Sequence, residues 1–292
     1  MCALALASLC VIILTGALVR LTGSGLGCVD WPRCNESKFV DVSTTHTRIE
    51  QMNRLFTGVV SASVIAAVLL AHRRVPRRPD LVRLAWGLVL GVLAQVVIGG
   101  IVVLTGLNPF ANMAHFLVSM LLVLCGFALY RRAGAEPDDP WFRPVPDHLK
   151  AHLRLFACCV PLVIVTGTVV TATGPHAGDE NAVRFGFALQ SVARVHSISV
   201  IVTLALLVAL MIRSRRSSGV DPQTVDSLTN VAAVACMQAG VGYLQYFTGV
   251  PVALVAAHIV GATWLWLATC ALVLAPSRPS DGAADGIASV PA

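Results

Sequence analysis

"RIEQMNRLFTGVVSASVIAAVLLA", residues 48–71, is the stretch from which the fold class is read. From Leu55 onward it is almost wholly apolar, and at about 1.5 Å rise per residue it can carry a helix across a hydrocarbon core of roughly 30 Å. Its opening turns hold Glu50, Asn53 and Arg54. Polar side chains at the mouth of a membrane span need partners, so their presence raises a question about function.

Similar runs recur near residues 2–20, 83–105, 111–130, 152–172, 191–212, 227–247 and 251–274, which with 50–71 makes eight. Of the 292 residues, 56% are hydrophobic and 12% are charged, about half the charge of an ordinary soluble domain. The expected fold is therefore an all-α integral membrane protein with eight transmembrane helices. The first run lacks a basic n-region, and "TGALVRLTGSG" is a poor cleavage site, so it reads as a span close to the chain start and not as a signal peptide.

The net charge is +6, but the placement of the basic residues speaks against nucleic acid and for a lipid bilayer as the partner. Fourteen of the 21 Lys and Arg lie in or beside "HRRVPRRPDLVR", "RRAGAEPDDPWFRPVPDHLKAHLR", "RSRR" and Arg278. If the spans alternate, these segments share one face, which the positive-inside rule makes cytoplasmic. The expected location is the plasma membrane, multi-pass, with both termini cytoplasmic. On the other face "TGLNPF" and "TGVP" carry no charge.

The chain repeats itself. At an offset of 143, Gln95 falls on Gln238, Gly99 on Gly242, Thr105 on Thr248, Gly106 on Gly249 and His115 on His258, and Asn53 falls on His196. At an offset of 151, Gly16 falls on Gly167, Thr22 on Thr173 and Gly23 on Gly174, so the first half has eight extra residues between its first two spans. Four spans per half is an even number, and both halves then enter the membrane in the same sense. The reading is two tandem parallel four-helix bundles, residues 1–135 and 151–275, followed by a disordered cytoplasmic tail, 276–292. Each bundle is of a kind that can hold one cofactor in its core.

Five of the eight histidines (His46, His72, His148, His152 and His176) are at ends or in loops, whereas His115, His196 and His258 lie inside spans. A buried imidazole needs partners for its ring nitrogens and is a functional candidate by default. These three sit one to two turns from the same membrane face, and two imidazoles facing each other at one depth are what a heme iron takes as axial ligands. Zinc would want further N, S or carboxylate donors nearby, and the second half offers none that is obvious. Glu50 and Asn53 are three residues apart and share a helix face. That gives Glu50 two readings, a general base beside a bound porphyrin or half of an ion pair with Arg54 at the helix start. Arg54 itself would pair with a heme propionate or with Glu50.

These features, with "GALVRLTGSGLGC", "EQMNR" and a cysteine pair in the first outer loop, resemble the heme A synthase family, over about residues 10–275. The resemblance implies that the second half binds heme b through His196 and His258. It implies that the first half receives heme O, with His115, Asn53 and Arg54 around it and Glu50 as the catalytic residue, and oxidises the C8 methyl group to the formyl of heme A for terminal oxidase assembly. Heme O synthase, oxidase assembly factors and an unidentified electron acceptor are the partners this implies. It also implies a bond between Cys28 and Cys34, either a staple or a redox pair. One departure stands out: where the family has the histidine of "ExxHR", this chain has Asn53, and an amide is a feeble ligand for heme iron. Two other classes remain open, a non-catalytic membrane b-type cytochrome acting as electron carrier, and a heme-binding transporter. A carrier has little use for Glu50, and a transporter would be expected to show helices broken by Gly or Pro near mid-membrane.

Overall fold

The computed structural model describes residues 1–276, so the expected tail lies almost entirely outside the described residues. Among them are eight helices: α1 (Cys2–Leu21), α2 (Thr45–Arg73), α3 (Pro79–Leu104), α4 (Pro109–Ala133), α5 (Asp147–Thr173), α6 (Leu189–Arg216), α7 (Pro222–Phe247) and α8 (Val252–Val273). Seven are long and apolar enough to cross a membrane; α7 is not. Its 26 residues suffice in length, but Thr224, Asp226, Ser227, Asn230, Gln238 and Gln245 lower its hydropathy. Bulky apolar side chains point outward along the other helices, among them Leu90, Val97, Leu121, Ile198 and Ile201, each more than half exposed. In water such a surface would be an aggregation liability; in lipid it is the expected coat. The chain is a multi-pass membrane protein.

Local chemistry sets the helix starts. Thr44 and Thr47 form a reciprocal capping box that begins α2 five residues before the expected span. Asn108 and Asp221 cap α4 and α7 through their side chains, each followed by a proline at the first helical position. At the opposite ends, α3 and α7 finish in matching turns, with positive φ at Gly106 and Leu107 and at Gly249 and Val250. A left-handed Val is unusual, and it recurs at the position related to Leu107, so the turn belongs to the repeated unit. Pro161 lies inside α5, an intramembrane proline that the sequence reading passed over, yet α5 runs through it as one helix.

Helices α1 to α4 pack in a ring, α1 on α2, α2 on α3, α3 on α4 and α4 on α1, and α5 to α8 form a second ring in the same order. Within each ring α2 faces α4 and α6 faces α8 across the diagonal, without direct packing. The rings meet where α1 and α4 touch α8 and α4 touches α5, and there the Trp266 indole donates to the Met120 carbonyl at 2.9 Å. The connection between the rings is tied down: the Arg143 side chain donates to the carbonyls of Leu272 and Ala271 at 3.0 Å each.

Candidate functional site

The end of the molecule where α1 finishes and α2 begins, here its upper end, carries the long loops and a cavity of about 920 Å³. That is near the top of the usual range for small-molecule and cofactor sites. Residues of both rings line it, including Glu50, Asn53, Arg54, His115, His196 and His258. The sequence-selected residues therefore converge on one space, with the Cys28–Cys34 loop at its rim.

Each imidazole stands against a glycine of the preceding helix, with different polar partners. On α6, His196 Nδ1 lies 3.0 Å from Thr166 Oγ1, and the Val163 carbonyl also faces the ring. On α8, the Gln238 carbonyl faces His258, and the His258 and His196 rings are within electrostatic reach of each other. Glycines form the walls: an added Cβ would stand 3.4 Å from Cε1 of His115 at Gly99, 3.2 Å from that of His196 at Gly167 and 2.9 Å from that of His258 at Gly242. The amide of Gln95 donates to the His115 carbonyl at 2.9 Å and that of Gln238 to the His258 carbonyl at 2.7 Å. One construction is thus used twice, a glutamine fixing the backbone of the histidine and a glycine one turn later receiving its ring. The buried Nδ1 atoms of His115 and His258 have no well-formed hydrogen bond among the described residues. Among the described residues no three His, Cys, Asp or Glu side chains converge on one point. A pair of imidazoles on diagonal helices, with their edges against glycine, matches what axial ligation of a heme asks for.

Glu50 is 5% exposed. Its Oε1 accepts from Arg54 Nε at 3.0 Å and Nη2 at 2.6 Å, and its Oε2 accepts from the Cys28 N–H at 2.7 Å. Arg54 also donates to the carbonyls of Asp30 and Arg33 and lies 5.2 Å from the centre of the Trp31 ring. Arg54 thus pairs with Glu50, one of the two partners considered for it. Cys28 and Cys34 are disulfide-bonded, both fully buried, and the ring they close rests on the Glu50–Arg54 pair. Lower in the loop, hydrogen bonds from Ser43 hold the Asp41 carboxyl below its ordinary pKa. Trp31 packs on Gly100 of α3, where a Cβ would collide with the indole.

The chain matches over residues 1–270 the model of the COX15-CtaA family, described as cytochrome oxidase assembly protein. It belongs to that family. Among relatives of this chain, the heme A synthase of Listeria welshimeri is 30% identical over 291 residues, 92% of each chain. Those of Lysinibacillus sphaericus and Geobacillus thermodenitrificans are 36% and 33% identical over shorter stretches. The chain spans about half the length of these last two, 54% and 46%.

Arg20 on the cavity wall, and the threonines Thr15 and Thr166 that contact Asn53 and His196, were not singled out from the sequence. Arg20 lines the cavity and crosses between the rings, donating to the carbonyls of His176 at 2.6 Å and Thr171 at 2.7 Å. Nothing local in "LVRLTG" signals carbonyl partners more than 150 residues away. Thr15 and Thr166 were open to detection, since they share the 151 offset already visible in their glycine neighbours.

Proposed function

We propose that the chain is a heme A synthase, oxidising the C8 methyl of heme O to a formyl group. The observation that carries this reading is the convergence of three glycine-backed imidazoles and a buried carboxylate on one cavity, in a member of a family whose relatives bear that name. In this reading residues 1–135 form the substrate half and 151–275 the heme b half. The upper end faces the periplasm or cell exterior, and both termini are cytoplasmic in the plasma membrane.

His196 and His258 would hold heme b, and His115 would hold the substrate heme. When bound, a bis-imidazole heme supplies one-electron chemistry. The protein contributes positioning and proton handling. With water as the source of the oxygen atom, conversion of the methyl carbon to a formyl group releases four protons and four electrons, and Glu50, at the rim of the first ring, would accept protons at its carboxylate. Arg54 keeps that carboxylate oriented, and the apolar walls limit water. The electrons pass to an acceptor, and the product goes to terminal oxidase assembly.

A second reading of Glu50 has its own support: the Cys28 N–H and the two Arg54 bonds fill most of its accepting capacity, as an anchor for the disulfide loop would. Co-expression with a source of heme O, followed by heme extraction, tests the function. Wild type yields heme A, and Glu50→Gln yields almost none while staying folded. Heme O and heme b without any heme A from wild type would overturn the enzyme reading and leave a b-type carrier or a transporter. Normal heme A from Glu50→Gln would reduce Glu50 to the anchor.

A further inference from the structure

The two rings use the same side chains to hold different residues at one position. In the second ring Thr166 Oγ1 meets His196 Nδ1 at 3.0 Å, and Gly167 abuts the ring. In the first ring the related residues are Thr15 and Gly16, and what they meet is Asn53. The Thr15 hydroxyl donates to Asn53 Oδ1 at 2.7 Å, and a Cβ on Gly16 would approach that same oxygen at 4.0 Å. The holder has been kept and the imidazole replaced.

Two consequences follow from the chemistry of the amide. The Oδ1 atom, the only one with lone pairs for a metal, is turned toward α1 and engaged by Thr15. The nitrogen has no lone pair to give, because it is delocalised into the carbonyl; it carries two N–H donors instead. Among the described residues Nδ2 bonds to no protein group, and Asn53 lines the cavity. Across the diagonal, on α4, stands His115 with no second imidazole opposite it.

We infer that the first ring is a one-imidazole site with an open axial position, where a small exogenous ligand, water or a neutral diatomic, binds beside the Asn53 N–H. This rests on reading the first ring as the heme O pocket. His115 grips the substrate from one side, Asn53 stabilises the small ligand on the other, and Thr15 is the positioning residue that keeps the amide turned. The second ring, with both imidazoles present, is closed to such ligands.

The test uses full-length protein with the second site disabled by the double substitution His196→Ala/His258→Ala, which leaves no imidazole in the second ring. Hemin is the probe, and absorbance spectra are taken with and without added imidazole, then with carbon monoxide after reduction. The expected result is a high-spin spectrum that responds to both ligands. Adding Asn53→His makes it low-spin and weakens imidazole and carbon monoxide binding by at least about tenfold, or 1.4 kcal/mol. Thr15→Val alters ligand affinity without removing hemin, and Thr15→Ser restores it. A low-spin spectrum in the Asn53 protein that ignores added ligand overturns the inference, as does an Asn53→His spectrum that does not change. If this double variant stays folded by size-exclusion chromatography but takes up no hemin, while wild type does, the first ring is no heme pocket. The underlying reading of the substrate half then fails with it.

Discussion

The glycines behind the imidazoles support a graded prediction. Alanine in place of a helical glycine gains about 0.5–1 kcal/mol from the unfolded chain, whereas forcing an extra carbon into a filled site costs about 1–3 kcal/mol. Which effect wins depends on the gap. At Gly99 the new Cβ would stand 3.4 Å from Cε1 of His115, close to ordinary contact, so Gly99→Ala should be about neutral. At Gly167 the gap is 3.2 Å, and at Gly242 it is 2.9 Å, which the His258 ring can relieve only by moving. Gly242→Ala should therefore lose a net of about 1–2 kcal/mol and displace the imidazole. Gly240, on the same helix with nothing within 4 Å, is the control, and Gly240→Ala should be as stable as wild type or more so. Thermal unfolding in detergent gives the stability, and a pyridine hemochrome assay gives the heme content. The expected order of heme loss is Gly242→Ala, then Gly167→Ala, then Gly99→Ala. Full heme b in Gly242→Ala, or a larger loss in Gly99→Ala, would refute the view that these glycines shape the ligand pockets.

Three further outcomes are expected. Glu50→Ala strands the largely buried Arg54 guanidinium and should destabilise the upper end by about 3 kcal/mol; Arg54→Ala should do much the same, and the double variant should cost less than the sum, read by urea or thermal melts. Gln238→Leu removes the 2.7 Å bond to the His258 carbonyl but also a buried Oε1 without a partner. It should change stability by only about 1 kcal/mol while lowering heme b retention on dialysis. Replacing Cys28 and Cys34 with serine opens a ring of six-residue separation, which should cost about 2 kcal/mol of local stability and make the outer loop the first site of limited proteolysis.

The helix count was legible because each run of apolar residues is as long as a bilayer is thick, and the three histidines stood out because an imidazole inside such a run needs partners; the structure brings all three to one cavity. Less legible was anything set by contact across the sequence. The α2 start moved to Thr45 because the capping box lies in a polar segment that hydropathy ignores. The Asn53 substitution was visible, but its meaning depends on Thr15, a residue that looks unremarkable in an apolar helix until it is placed opposite the amide. Glu50 was singled out by its place at the mouth of a span, with the resemblance in support, but its bond to the Cys28 N–H, which joins the disulfide loop to the pocket, is invisible to any local pattern. The α7 helix is the reverse case, a repeat partner of α3 whose polar residues keep it below the apolarity of the other spans.

The optical spectrum of the purified protein tests the central claim most directly. Iron porphyrin held between His196 and His258 predicts a low-spin b-type signal in wild type that disappears in His196→Ala and in His258→Ala. A folded, colourless protein that takes up no added hemin, or a signal that survives both substitutions, would contradict it.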